Sequence, residues 1–457
     1  MKIVYKYSCF LIIMIAIVLL HSCKKLVSVD VPDDRITQEM VFSNDAAALS
    51  AMSGLYAQMI RNNLQLTSGG ATMYLGLSAD EIVNTVQSSN TDEFTNNELS
   101  PANTTLRFNF WAHGYTLIYQ SNSLIEGLEK PSGVSPAVRA QLIGEAKTIR
   151  AFSYLYLVNI FGDVPLILTA NYQHNAQLPR ASISEIYSQI VLDLTDAKGL
   201  LSEVYPSSGR VRINKWAAVA LLSRAYLYQK DWVKAETEAS AIINSGVYNL
   251  AANPGNVFLS TSNETIWQLM SVSTTVNTWE GNVFNPAAGA IPSYVVLPSQ
   301  LNSFTGADLR KSSWIKAVIV AGTTYHHPNK YKIKTSTTIS EHTIVLRLAE
   351  QYLIRAEAAA QQGKIVPAQD DLNRVRFRAG LTNTSAADQG SLLLAIETER
   401  RTELCFEWGH RWMDLKRTDR INALLANKPS WQPTDALYPI PEAEIQRNPA
   451  LSQNPGY

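Results

Sequence analysis

Cysteine is almost missing from this chain, with 3 in 457 residues. Cys9 lies in an apolar N-terminal run and Cys23 follows that run, so Cys405 stands alone in the body and no internal disulfide is available. A chain this long buries enough core not to need one. Cys405 sits among Leu404, Phe406 and Trp408 with no neighbouring His–Asn or His–Asp set, which reads as a buried, inert thiol. Net charge is missing too: 39 Lys and Arg balance 39 Asp and Glu. That balance argues against a general nucleic-acid binder, whose footprint is basic. Catalytic signatures are absent. There is no His-Glu-x-x-His, no Gly-x-x-x-x-Gly-Lys, no Gly-x-Ser-x-Gly and no EF-hand loop, so neither metal nor cofactor is expected. His326-His327 reads as a solvated turn. The acidic pairs Asp80-Glu81, Asp92-Glu93 and Asp370-Asp371 read as solvated loop residues, not as two carboxyls facing each other across a sugar, and no enzyme is expected.

Long hydrophobic runs are confined to the N-terminus. Lys2 and Lys6 precede an apolar stretch from Cys9 to Leu20, which suits the core of a signal peptide and is short for a membrane span. It ends in Leu20-His21-Ser22-Cys23, a small residue followed by cysteine, as in a bacterial lipobox. The expectation is a signal peptide over 1–22, lipid attachment at Cys23 and a tether over 23–38, with an uncleaved anchor as the alternative. The folded domain is then 39–457. Its 46 % hydrophobic and 17 % charged composition belongs to a globular chain, not a disordered one.

Helical signals dominate the folded domain. Asn44-Asp45 caps a segment through Ala57 and Ile60. Trp111, Tyr115, Ile118, Asn122 and Ile125 recur at three- and four-residue steps over 107–129. Pro136 opens a helix that Phe161-Gly162-Asp163-Val164-Pro165 ends. Residues 182–201 carry Ile186, Ile190, Leu194 and Leu201 on one side. Two helical hairpins have small residues at their crossings: one from Asn214, turning at Lys230-Asp231, and one from 347 to 378, turning at Gln362-Gly363-Lys364. The fold class is therefore mostly α, a tetratricopeptide-like helical hairpin scaffold with long irregular insertions at 62–104 and 247–345. Within the second insertion, Glu264 to Leu269 reads as a short strand. Long irregular segments in a compact protein are often functional.

Five stretches, in order, resemble one family. They are Gly144-Glu145-Ala146 through Phe161-Gly162-Asp163-Val164-Pro165-Leu166; Gly209-Arg210 with Asn214-Lys215; Leu348-Ala349-Glu350 through Arg376; Glu399-Arg400 through Asp414-Leu415; and Tyr438-Pro439-Ile440-Pro441 through Asn454-Pro455-Gly456-Tyr457. Together they resemble the SusD-like (RagB-like) family. The resemblance implies a tetratricopeptide-like scaffold and a lipid-anchored, outward-facing place at the outer membrane. It also implies capture of a glycan, or in some members a peptide, for a SusC-like TonB-dependent transporter. A protein-binding lipoprotein adaptor is the alternative reading.

The resemblance fixes no ligand residue. Sugars need rigid flat rings with polar handles. Trp279, Tyr294, Trp314 and Tyr325 in one irregular region, with Tyr74, Asn84 and Asn90 in the other, are the candidates. Trp111, Trp216, Trp232, Trp408 and Trp412 lie on helical faces and read as core. Glu399, Glu403 and Glu407 fall on one helical face and call for cations: Arg400 and Arg411 locally, Arg150, Arg374 and Arg376 from neighbouring helices.

Overall fold

The computed structural model describes residues 37–457. The expected signal peptide, Cys23 and all of the expected tether except its last two residues lie outside that range. Asn44 accepts the Ala47 N–H and starts α1 (Asp45–Ile60). Next come α2 (Ala71–Ser78), the short strand β1 (Ile82–Asn84) and α3 (Ser89–Asn96). A π-helical stretch, Leu106–Ala112, leads into α4 (His113–Glu129), and Pro136 at the first turn opens the long α5 (Pro136–Phe161). Gly162, at φ 74°, ends α5, and a two-residue pairing of Val164–Pro165 with Arg180–Ala181 leads to α6 (Ile183–Leu200).

Helix α6 begins with the reciprocal cap of Ser182 and Glu185. The pair α7 (Lys215–Tyr228) and α8 (Trp232–Asn244) comes next, with Asn214 and Asp231 as N-caps. The central region supplies β2 (Thr265–Leu269), α9 (Trp279–Phe284), β3 (Tyr294–Val296), the hairpin β4 (Ile315–Val320) and β5 (Thr323–Pro328), and β6 (Thr343–Arg347). Then come α10 (Leu348–Gln361), α11 (Ile365–Arg378), α12 (Gln389–Glu403) and α13 (His410–Arg417).

The structure is mostly α, and its stacked helix pairs resemble a tetratricopeptide arrangement. Helix α5 packs on α4 and α6, α6 on α7, α7 on α8, α8 on α10, and α10 on α11 and α12. Paired charges pin these crossings. The Arg150 guanidinium grips Asp193 at 2.8 and 2.6 Å and Asn122 Oδ1 at 2.8 Å, tying α5 to α6 and α4. Arg224 grips Glu350 at 2.6 and 2.7 Å across α7 and α10. Arg355 holds Asp371 across the second hairpin, so the Asp370-Asp371 pair is not simply a solvated loop. The chain terminus locks the Gly162 turn: Arg180 donates to the Asp163 carbonyl and to Asn454, whose own amide donates to the Phe161 and Tyr438 carbonyls.

Several sequence expectations need correction. Residues 62–104 are not an open loop. Leu66–Gly70 and α2 are buried throughout, with Gly69 at φ 91° supplying a turn that a side chain would strain. Glu407 does not continue the helix of Glu399 and Glu403, because α12 ends at Glu403 and Phe406 and Trp408 take positive φ. Trp408 is buried as expected but lies in that turn, not on a helix. Trp111, Trp216 and Trp412 are buried on helices, and Trp232 is half-buried. His327 is buried on β5, with Nδ1 3.0 Å from the Pro328 carbonyl, so His326-His327 is a strand and not a turn. Cys405 is a buried free thiol whose pKa burial raises to about 12.

Candidate functional site

The two irregular regions meet at one strand pair. β1 and β3 run antiparallel, with Asn84 opposite Tyr294 and Ile82 opposite Val296. Thr85 extends the junction, its N–H donating to the Ser293 carbonyl at 2.9 Å and its hydroxyl to the Pro292 carbonyl at 2.6 Å. β3 also packs against β5, the strand of Tyr325. Asn84, Tyr294 and Tyr325, far apart in sequence, therefore share one corner of the molecule.

Each candidate has a definite place. Tyr294 is half-buried, its ring edge-on to Phe284 at 5.9 Å; burial, with Tyr74 nearby, pushes its pKa to about 12, so it remains a neutral donor. Tyr325 is half-exposed on the hairpin opposite Val318. Trp279 is half-buried at the start of α9; its indole N–H donates to the Ile60 carbonyl at 2.9 Å, and its Cβ lies over Gly69. The Asn84 amide braces the strand internally: Nδ2 donates to Asp92 and to the Val86 carbonyl, and Oδ1 accepts from Thr95. Asn90 donates to Thr104 at 2.9 Å.

Tyr74 and Trp314 are packing residues. Tyr74 is buried on α2 against Phe94 at 4.7 Å and Phe110 at 5.7 Å. Trp314 is fully buried; its N–H donates to the Pro254 carbonyl at 2.8 Å, and the Lys330 ammonium stands 4.1 Å over its ring. A ring so enclosed offers no face to a sugar, which removes Trp314 from the binding arc and makes Tyr74 the floor beneath it. Sequence reasoning missed Phe108. It is 52 % exposed, with the Arg107 guanidinium stacked 4.8 Å away, on the π-helical stretch that packs against Leu66–Gly70. An α-helical reading of 107–129 could not place it, because the wider π turn rotates the register.

A buried charge cluster anchors this corner to the scaffold. Arg310, in the 247–345 region, donates to Glu399 at 2.5 Å, Glu403 at 2.9 Å and Asp308 at 2.7 Å. Arg347 reaches Glu264, Glu403 and Glu407; Arg378 reaches Glu264 and Glu403; Lys330 reaches Glu407 at 2.5 Å. Burial alone would raise the pKa of Glu403, but Arg378, Arg347 and Arg310 hold it well below the usual carboxylate range. The expected charge relief is there, with other partners than those expected. Arg376 does meet Glu399 at 3.3 Å, but Arg400 pairs with Asp414, and Arg411 with Asp80. Arg150 is committed to Asp193. Asp80-Glu81 is thus no solvated pair: Arg401 and Arg411 hold Asp80, and Glu81 is buried with a pKa that burial raises to about 7.

A second device braces α2 and α3. The Lys428 ammonium donates to the carbonyls of Leu77 (2.9 Å), Ser78 (2.9 Å) and Thr95 (3.1 Å) and to Asn97 Oδ1 (2.8 Å). These four oxygens cap the C-terminal ends of the two helices that flank β1. Among the described residues, no group of His, Cys, Asp and Glu side chains is placed to hold a metal, and no helix is long and apolar enough to cross a membrane.

Two family models match this chain: one described as the SusD family, over residues 305–457, and one described as starch-binding associating with outer membrane, over residues 31–227. The chain belongs to the SusD/RagB family. A SusD-like protein of Formosa agariphila is 25 % identical over 98 % of each chain. The starch-binding protein SusD of Bacteroides thetaiotaomicron is 23 % identical over 72 % of this chain and 75 % of its own. Among solved structures, a laminarin-binding SusD-like protein matches with a TM-score of 0.79 and 26 % identity, covering 91 % of this chain and all of its own. A SusD superfamily protein of Bacteroides vulgatus matches with a TM-score of 0.81 at 20 % identity, a likeness of fold. SusD-like proteins are binding proteins and not enzymes. They are associated with the outer membrane, and the family is known for glycan binding in partnership with SusC-like transporters.

Proposed function

We propose that this SusD-like protein is a cell-surface glycan-binding lipoprotein that passes oligosaccharides to a SusC-like TonB-dependent transporter. In this reading residues 1–22 are cleaved, Cys23 carries the lipid, 23–38 form the tether and 39–457 the binding domain. The observation that carries it is the junction of β1 with β3. It sets Tyr294 beside the strand of Tyr325, over Tyr74 and with Trp279 and Phe108 on neighbouring segments, so that rings from both irregular regions gather at one corner. That is the chemistry a sugar needs: ring faces for its apolar patches, and phenol hydroxyls for its polar edges. Relatives named for starch and laminarin binding support the ligand class.

An affinity-gel panel of polysaccharides and peptides against residues 24–457 tests this. Retardation by one glycan supports capture. Retention of peptides alone moves the ligand class to peptide, and no retardation by any polymer overturns the reading. Membrane fractionation of Cys23→Ala tests the anchor, which predicts release or an unprocessed precursor. One observation favours a protein partner on another face: Phe377 is 81 % and Val366 65 % exposed on α11, away from the strand pair.

A further inference from the structure

The chain enters the described fold at the mouth of an open trough. Thr37 leads into the short turn Gln38–Val41, and Val41 and Phe42 themselves line a well of about 620 Å³ between α1 and α4. The point of entry is fixed. The Phe42 ring lies on Gly127 of α4, so close that a Cβ there would meet it at 1.9 Å, and the Phe42 carbonyl takes the Gly133 N–H at 3.1 Å. From this end the trough runs along α1 past Ala51, Gly54 and Gln58 to Arg61, with Tyr119 on the facing helix. Phe42, Leu55 and Leu124 are buried at its apolar base.

The polar groups of the trough are of both signs and both kinds. Among the described residues, neither Gln58 nor Arg61 has a side-chain hydrogen bond or an ion pair, and Gln120 Oε1 is shielded from solvent with no donor. Arg61 is balanced in charge by Glu126, which takes the Ala170 N–H at 2.8 Å. An extended peptide suits such a lining, because its backbone offers N–H donors and carbonyl acceptors in alternation. Gly54 leaves room for that backbone, since a side chain there would meet nothing within 4 Å.

Residues 24–36, which precede the point of entry and lie outside the described range, have the matching pattern. Val27, Val29 and Val31 alternate with Ser28, Asp30 and Pro32, the period of an extended segment with one apolar side. Lys24, Lys25 and Arg35 balance Asp30, Asp33 and Asp34, as Arg61 and Glu126 balance in the trough. The lengths agree as well. Asp30 stands seven residues before Thr37, about 23 Å of extended chain. The 16 residues of α1 rise about 24 Å and end beside Arg61.

We propose that this trough is the seat of the chain's own tether. Residues 27–36 lie extended between α1 and α4, with the valines on the apolar base and Asp30 paired with Arg61. Cys23 then leaves the fold at the C-terminal end of α1. That end carries the Ile60 carbonyl that takes the Trp279 indole N–H at 2.9 Å, so the seated tether holds the β1–β3 corner towards the membrane. The docking uses no lipid; only this consequence for orientation rests on the lipoprotein reading.

Trypsin supplies the test, because Arg35 is a cleavage site inside the seated segment. Residues 24–457 are digested under native conditions, and the cut at Arg35 is timed by mass spectrometry. Gly54→Trp fills the trough and should speed that cut at least tenfold; Arg61→Ala should speed it by less. In a second measurement Gly54→Cys is combined in turn with Val27→Cys, Val29→Cys and Val31→Cys, and mild oxidation should link at least one pair within a single chain. Equal cleavage of wild type and Gly54→Trp, or the absence of any cross-link, overturns the proposal. A link that forms only between two chains also overturns it and assigns the trough to a second copy. Glycan retardation of Gly54→Trp is expected at the wild-type level, so failure of the docking leaves the capture reading standing.

Discussion

Arg347 donates to Glu403 at 2.5 Å, and the same guanidinium also reaches Glu264 and Glu407, so one side chain on β6 joins three carboxylates from two distant parts of the chain. Both groups are at most 2 % exposed. Removing one partner strands the others in a dry interior, which costs about 3–5 kcal/mol. Arg347→Met should therefore lower the denaturant midpoint sharply while leaving the intrinsic affinity of the folded fraction unchanged. Urea unfolding, with binding then measured on the same sample, checks this. A stably folded variant with lost affinity would show that the cluster serves the ligand directly.

Residue type decides how much of the fold and of the binding corner is legible in the sequence. The second hairpin was readable because Ala356, Ala359 and Ala368 let α10 and α11 approach, and Gly363 at φ 74° marks their turn. Trp314 misled because the Asn-, Thr-, Ser-, Gly- and Pro-rich region around it reads as an irregular surface segment. In the fold, Lys330 and Arg378 arrive over the same ring and are neutralised by glutamates from α12 and the turn after it, so a charged neighbourhood becomes core. Residues 62–104 misled because Ser, Gly, Asn and Thr signal loops, while here they pack a buried π turn. The pairing of Asn84 with Tyr294 could not be read at all, since nothing in either short strand specifies a partner so distant in sequence.

Lys428 serves as a tethered cation for α2 and α3. Burial pulls its pKa down to about 7, and four oxygens stand against that loss of charge. Lys428→Met takes the donor from the Leu77 and Thr95 carbonyls and from Asn97 Oδ1, while the Ser78 carbonyl keeps the Asn97 amide, at a cost of about 1–3 kcal/mol. Hydrogen exchange across residues 77–97 should accelerate, and glycan affinity should fall, because β1 lies between the two helices. Exchange mass spectrometry decides it; unchanged protection would mean that the helices hold each other without the lysine.

Glu280 sets a pH dependence. Burial raises its pKa to about 7, so the folded state favours the neutral acid. The stability linked to this group is full below the ordinary carboxylate pKa and is lost as pH rises to about 7. From about pH 5 to pH 8 the penalty reaches up to ~3 kcal/mol. Glu280→Gln keeps the shape and removes the charge, so it should unfold at higher urea than wild type above neutral pH and differ little near pH 5. Denaturation at the two pH values checks this; equal shifts at both would contradict it.

The central claim is that the corner built by β1 and β3 binds glycan, with Tyr294 as its ring. Calorimetry of Tyr294→Ala with the glycan that the panel identifies tests it most directly. The account predicts at least a tenfold loss of affinity, about 1.4 kcal/mol, with an unchanged melting temperature. Wild-type affinity in a folded Tyr294→Ala would contradict it.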